Sequence, residues 1–281
     1  MATVKQFSKD QWALILGASS GFGGGAAVEL ARRGMSIFGV HFDRAAGMPN
    51  VEKIIGEIES AGSRAVFFNI NASDPARRAE TMEAIRKEFQ SSPGATIRTL
   101  LHSLAFGTLK PFIGARFEDV MTQSQMEMTL DVMAHSLVYW TQAVVINGFM
   151  KEGGRIFAMT SSGGHNVLPN YGAVSAAKAA LESHIRELAM ELGPRNITAN
   201  SILAGVTDTP ALRKIPGAQS MLKIARGKNP QMRATTPQDV ANAIALLSHD
   251  DANFISGNVI GVDGGEDIVS YVGQKSPTEF E

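Results

Sequence analysis

The sequence predicts an α/β protein built on a single doubly wound parallel sheet, with helices on both faces. Two observations carry that expectation. Short β-branched or apolar runs alternate with longer helical stretches along the whole chain, and a glycine-rich turn stands at the first strand-to-helix junction. Strand–helix–strand units close as right-handed crossovers, which stack their strands in parallel.

Residues 12–16 (WALIL) form the first expected strand, followed by the glycine turn and a helix through AAVELARR that Gly34 closes. Residues 36–42 (SIFGVHF) are the second strand and 51–60 the second helix. The third strand is expected at 65–70 (AVFFNI), a helix at 75–89, and a fourth strand opening at 99–102. One long helix should cover 125–150, followed by the strand 155–160 (RIFAMT). A helix over 171–192 stops at Gly193-Pro194, and strands at 198–203 and 258–262 complete the sheet. No linker, repeat or low-complexity tract interrupts the alternation, so residues 1–281 read as one domain. The tail after Gly265 is short and partly polar, and its last residues are expected to be mobile.

Composition narrows the function classes. A 281-residue chain with 44% apolar and 19% charged residues can bury a substantial core. Its net charge of −1 lacks the basic footprint of a nucleic-acid or anionic-membrane binder. There is no cysteine, which excludes disulfides, thiolate nucleophiles and Cys-ligated zinc. The N-terminal stretch has no apolar h-region and no run is long enough to cross a bilayer, so a cytoplasmic protein is expected. His135, His165, His184 and His249 show no metal-ligand spacing, and no metal is expected. Met121, Met126, Met128 and Met133 read as helix core or subunit interface.

The turn runs Gly17-Ala18-Ser19-Ser20-Gly21-Phe22-Gly23. Glycines there let backbone N–H groups approach a pyrophosphate at a helix N-terminus, where the dipole favours anions. At the first βα junction this is a Rossmann-type dinucleotide cradle, with Gly17, Ser19, Ser20, Gly21, Phe22 and Gly23 as its candidate residues. The end of the second strand discriminates between nicotinamide cofactors, because an acidic residue there holds a ribose 2′-hydroxyl and repels a 2′-phosphate. That position is His41. His41 and Arg44 offer donors to a phosphate while Asp43 argues the other way, and the balance favours NADPH over NADH.

The segment MTSSGGHNVLPNYGAVSAAKAALE carries the candidate chemistry. Tyr171 and Lys178 stand nearly two helical turns apart, about 10 Å along the axis, so both face one way. An ammonium and a nicotinamide ribose between them would hold and acidify the phenol, which would stabilise an oxyanion forming on a substrate carbonyl. Ser161 ends the preceding strand.

From the glycine turn to Val262-Asp263-Gly264-Gly265, over residues 12–268, the chain resembles the short-chain dehydrogenases/reductases. More closely it is similar to their divergent branch, the bacterial enoyl-acyl-carrier-protein reductases. The usual pair is Tyr-x3-Lys, but the residue four before Lys178 is Val174, and Tyr171-x6-Lys178 is the enoyl reductase spacing. Leu101-His102-Ser103-Leu104-Ala105-Phe106 is similar to the His-Ser-x-x-Phe stretch of the NADH-type enzymes. Residues 200–212 (NSILAGVTDTPAL) are nearest to enoyl reductase III, the NADPH-dependent type. The family's active-site Asn falls at Met133, and the second tyrosine of some enoyl reductases falls at Ser161. Ser161 also matches the family's catalytic serine, so it either polarises the carbonyl or caps backbone.

The resemblance implies conjugate reduction of a trans-2-enoyl thioester in fatty-acid synthesis. It assigns Tyr171 and Lys178 to catalysis, Lys178 and Ser103 to the cofactor, and Gly205, Val206 and Thr209 to its carboxamide and pyrophosphate. Asn71 and Ala72 would flank the adenine, and the family's usual assembly implies a homotetramer. Between Pro210 and Pro237 stand Arg213, Lys214, Lys223, Arg226, Lys228 and Arg233 with no acidic residue. Such a segment, with a substrate-binding loop at about 209–232, would steer an acidic acyl-carrier protein or coenzyme A thioester, unless it is simply a solvated basic loop. A carbonyl or hydroxysteroid-type reductase and an NADPH-binding sensor without turnover are the rival functions. The missing Tyr-x3-Lys argues against the first, and the intact Tyr171 and Lys178 against the second.

Overall fold

In the computed structural model, which describes residues 6–215 and 217–270, β1 (Gln11–Leu16) is buried at every position after its first. Burial on both faces is what a central parallel strand requires. β1 alternates its side chains between two cores. Trp12, Leu14 and Leu16 pack with the helices α3 (Pro75–Gln90), α5 (Ser136–Ile146) and α6 (Gly172–Leu192). Ala13 and Ile15 pack with α1 (Gly21–Arg32), α2 (Met48–Ser60) and α8 (Pro237–Leu247).

The other strands are β2 (Ser36–His41), β3 (Ala65–Asn69), β4 (Thr96–His102), β5 (Arg155–Thr160), β6 (Thr198–Ala204) and β7 (Val259–Val262). All pair in parallel in the order β3-β2-β1-β4-β5-β6-β7. The direction of winding reverses between β1 and β4. That switch point, at the C-terminal strand ends, is where sheets of this winding usually place a ligand crevice.

Three expectations change. The expected helix over 125–150 is α4 (Gln123–Leu130), a wide π turn (Asp131–His135) and α5, which ends at Ile146. Ser136 donates its hydroxyl back to the Val132 carbonyl at 2.8 Å, a side-chain bond inside the widened turn. β4 opens at Thr96, before the expected Thr99, because buried Arg98 belongs to the strand. Its guanidinium donates to the Ser248 carbonyl at 2.9 and 3.0 Å and reaches Asp250 at 2.7 Å, so a charge sits where apolar residues were sought. The basic segment, read as a loop, contains the helix α7 (Ala218–Lys228). The expectation for the last residues of the tail falls on 271–281, outside the described residues. No helix among the described residues is long and apolar enough to cross a membrane.

Candidate active site

The glycine turn is packed backbone against backbone. Gly17 has φ +91°, and a Cβ there would lie 2.4 Å from the Ser103 carbonyl oxygen. A Cβ on Gly23 would lie 2.1 Å from the Gly17 oxygen. Gly17 and Ala18 both donate to the Val40 carbonyl, at 2.8 and 3.0 Å, and Ser103 N–H donates to Leu16 at 2.8 Å. Strands β1, β2 and β4 therefore hold the turn in place. Ser20 occupies the N-cap of α1 without capping it through its side chain, and the first turn has no acidic residue. The positive helix end is left for an anion. Asn50 donates to the Ser19 carbonyl at 2.5 Å, and Phe22 packs on the core beneath α1.

At the end of β2 the predicted pair separates. His41 is only 4% exposed and its Nδ1 lies 3.1 Å from Asp43 Oδ2, so its ring is engaged within the protein. Asn69 grips the same corner, accepting from Asp43 N–H at 3.1 Å and donating to the Asp43 carbonyl at 2.9 Å. Arg44 is exposed, and its guanidinium has no hydrogen-bond or ion-pair partner among the described residues. Of the two, Arg44 is the one free to meet a phosphate.

Tyr171 sits at the N-cap of α6, following Asn170 in the left-handed region at φ 61°. The turn after β5 presses against its ring, since a Cβ on Gly163 would lie 2.6 Å from Tyr171 Cε1. Burial pushes the phenol above its ordinary value, opposed by a hydrogen bond with the Ser161 side chain. Ser161 Oγ also accepts from Gly163 N–H at 3.2 Å, so it caps backbone and faces the phenol at once. Lys178 is 5% exposed and donates from Nζ to the Met159 carbonyl at 2.8 Å. Burial lowers it to about 8, against the pull of Glu182.

Without a nucleotide ribose between them, Lys178 has no direct hold on the Tyr171 phenol. The ammonium is turned to Met159, and desolvation governs the phenol. Tyr171 is thus a protonated donor, the form that can hydrogen-bond an oxyanion. His102, fully buried beside Lys178, is held neutral at about 3, by burial first and then by the lysine charge. Ser136 gives its proton to Val132 and lies 2.8 Å from His102 Nε2, so Nε2 carries the hydrogen and donates.

The remaining predicted residues follow the C-terminal ends of β3 and β6, with one qualification. Thr209 lies against the glycine turn, its Cγ2 3.5 Å from where a Cβ on Gly21 would be. Gly205 and Val206 follow β6. Asn71 is exposed after β3, whereas Ala72 is buried and its carbonyl accepts from Trp140 Nε1 at 2.8 Å, which ties that loop to α5. In the basic segment, Arg213 is paired with Asp208 and Arg233 with Asp239. Lys214, Lys223, Arg226 and Lys228 form no ion pair among the described residues.

Two residues escaped the sequence reading. Glu182 accepts from Thr160 Oγ1 at 2.5 Å beside Lys178, and its spacing four after the lysine was the available signal. Glu266 reaches back from beyond β7 to Val206, a contact with no local signature.

The glycine cradle, which any Cβ would fill, and the uncapped end of α1 fit a dinucleotide. Known proteins agree with that chemistry. A family model described as Enoyl-(Acyl carrier protein) reductase matches residues 17–266. The enoyl-[acyl-carrier-protein] reductase [NADH] FabI of Nostoc sp. is 31% identical over 218 residues, 78% of this chain and 81% of that protein. A hydroxynaphthalene reductase-like protein, Arp2, of Metarhizium acridum is 28% identical over 265 residues, 90% of this chain and 93% of its own length. The solved enoyl-(acyl-carrier-protein) reductase of Anaplasma phagocytophilum in complex with NAD has the same fold, with a TM-score of 0.81 at 22% identity over 99% of each chain. The chain belongs to the enoyl-acyl-carrier-protein reductase branch of the short-chain dehydrogenases/reductases and is an NAD(P)H-dependent oxidoreductase.

Proposed function

We propose that the protein reduces the 2,3 double bond of trans-2-enoyl thioesters with NADPH, acting as a single-domain homotetramer in cytoplasmic fatty-acid synthesis. The observation that carries this reading is Val174. In Tyr-x3-Lys reductases a phenol stands one turn before the lysine. Here that position is an aliphatic side chain, 4% exposed and packed in the core. The available phenol is Tyr171 at the helix cap, displaced toward the opening of the crevice.

The residues divide the work as follows. Gly17, Gly21, Gly23 and the first turn of α1 would receive the pyrophosphate, and Gly205, Val206, Thr209 and Ser103 would border the nicotinamide. When bound, NADPH supplies hydride to the β-carbon, which leaves negative charge on the thioester oxygen. Tyr171 donates its hydroxyl hydrogen to that oxygen, and Ser161 orients the phenol. Lys178, held by the Met159 carbonyl, would supply positive charge toward the ribose while it stays protonated. A proton taken from solvent water at the α-carbon completes the reduction, so that one hydride and one proton add across the double bond.

Arg44 supports NADPH because it is free and exposed, while His41 engages the neighbouring Asp43 carboxylate. The Nostoc relative is named for NADH, so the two cofactors need direct comparison. The unpaired Lys214, Lys223 and Arg226 support an acidic carrier, acyl-carrier protein or coenzyme A, entering past α7 in the 209–232 loop.

The test follows NADPH and, separately, NADH oxidation with crotonyl and longer trans-2-enoyl thioesters on both carriers, with acetoacetyl thioester in parallel. Fast NADPH loss with the enoyl substrates alone is expected. Turnover confined to the keto substrate would assign a carbonyl reductase instead, the reading that the hydroxynaphthalene reductase-like relative favours.

A further inference from the structure

The segment just past β7 forms a strap that touches two loops, because its adjacent acidic residues Glu266 and Asp267 reach different partners. Asp267 reaches His165 Nε2 at 2.9 Å and Asn166 Nδ2 at 3.4 Å, in the turn between Ser161 and Tyr171. Its own N–H is held by Asp263 Oδ2 at 2.7 Å. Glu266, the residue before it, turns instead to the loop after β6. One carboxylate oxygen accepts from Val206 N–H at 3.2 Å.

Glu266 is a costly residue to place there. It is 8% exposed, and its second oxygen is buried with no hydrogen-bond partner. The space is tight, because a Cβ on Gly205 would lie 2.8 Å from that oxygen and 2.4 Å from Thr235 Oγ1. Burial raises the carboxyl, with Asp263 adding to the rise and the Val206 N–H, Lys228 and the Asn229 side chain opposing it. A half-partnered buried carboxyl costs stability wherever it brings no compensating contact. Here the contact it makes is to the backbone of Gly205–Val206.

We propose that Glu266 is a positioning residue for the nicotinamide end of the cofactor. By accepting the Val206 N–H it sets the orientation of the Gly205–Val206 peptide, and the strap links that peptide to the turn carrying Ser161 and Tyr171. The proposal rests on the nicotinamide-cofactor reading of the crevice and is independent of which thioester or ketone is reduced.

The experiment measures NADPH and NADH dissociation constants by fluorescence, without substrate, for wild type, Glu266→Ala and Glu266→Gln, alongside thermal unfolding of each cofactor-free protein. Glutamine keeps a carbonyl acceptor for Val206 but no charge. The expected result is at least a tenfold weaker cofactor affinity for Glu266→Ala, with affinity within threefold of wild type for Glu266→Gln. With the preferred substrate, Glu266→Ala should also show a higher cofactor KM, and Glu266→Gln should reverse most of that change. Wild-type affinity in Glu266→Ala would overturn the proposal. So would a Glu266→Gln variant as weak as alanine at equal thermal stability, since charge rather than the hydrogen bond would then matter. A wild-type protein that binds neither nucleotide would instead sink the cofactor reading itself.

Discussion

Tyr171 and Lys178 lie close in the chain and share a crevice, yet burial treats them in opposite ways. Desolvation disfavours whichever form is charged, so it raises the phenol and lowers the ammonium. Tyr171 therefore stays protonated through the neutral range, and Tyr171→Phe should lower kcat by about 10²-fold or more while cofactor affinity changes little. Stopped-flow turnover and equilibrium binding of the nucleotide check the two halves. For Lys178 the sign follows from linkage. Its folded value is about 8 and its ordinary value 10.5, so between those limits the unfolded chain holds more protons. The cofactor-free protein should gain stability as pH rises from about 8 to 10.5, by ~3 kcal/mol at most, and the gain should vanish in Lys178→Met. Urea unfolding across that range measures it. Activity should move oppositely, falling above pH 8 as the ammonium is lost.

At the scale of the element, the βα junctions matter more than the helices and strands they join. The turn from β1 into α1 is braced by three strands and leaves no room for one methyl group. Gly23→Ala would drive a Cβ to 2.1 Å from the Gly17 oxygen, so the turn must move. We expect a stability loss of about 2 kcal/mol or more and at least a tenfold weaker nucleotide affinity. Thermal unfolding and nucleotide titration read these separately. The π turn before α5 makes a related point. It places Met133 in the core against Gly107, where a Cβ would lie 3.0 Å from the Met133 sulfur. The position the family resemblance assigns to a polar active-site residue is thus a packing position here.

Across the whole molecule, the proposed cofactor site draws on the ends of β1, β2, β4, β5 and β6 together with the strap beyond β7. Binding there should stabilise the fold as a unit. At a nucleotide concentration 100 times its dissociation constant the gain is about 2.7 kcal/mol, several degrees in a thermal scan. NADPH should give the larger shift. Arg44→Ala should reduce the NADPH shift and leave that of NADH unchanged, whereas an equal loss with both would remove Arg44 from phosphate recognition.

The boundary between what the sequence determined and what the tertiary structure decided follows from range. Alternating apolar runs, the glycine turn and the Tyr171–Lys178 spacing are local patterns; they were enough for the sheet and the family, and they supply the proposed cofactor and catalytic residues. The start of β4 was hidden because Arg98 finds its partners 150 residues away, at Ser248, and no local pattern records that. His41 looked like a phosphate donor until Asp43 and the β3 strand engaged and buried it. The ammonium of Lys178 was expected to act on Tyr171, but the direction of a side chain depends on the nearest buried acceptor, here Met159. Glu266 became visible only once the parallel sheet brought β7 beside β6. Spacing along one helix or turn specifies which groups can meet. Which of them are desolvated, and which acceptor each one faces, depends on chain segments far apart in sequence.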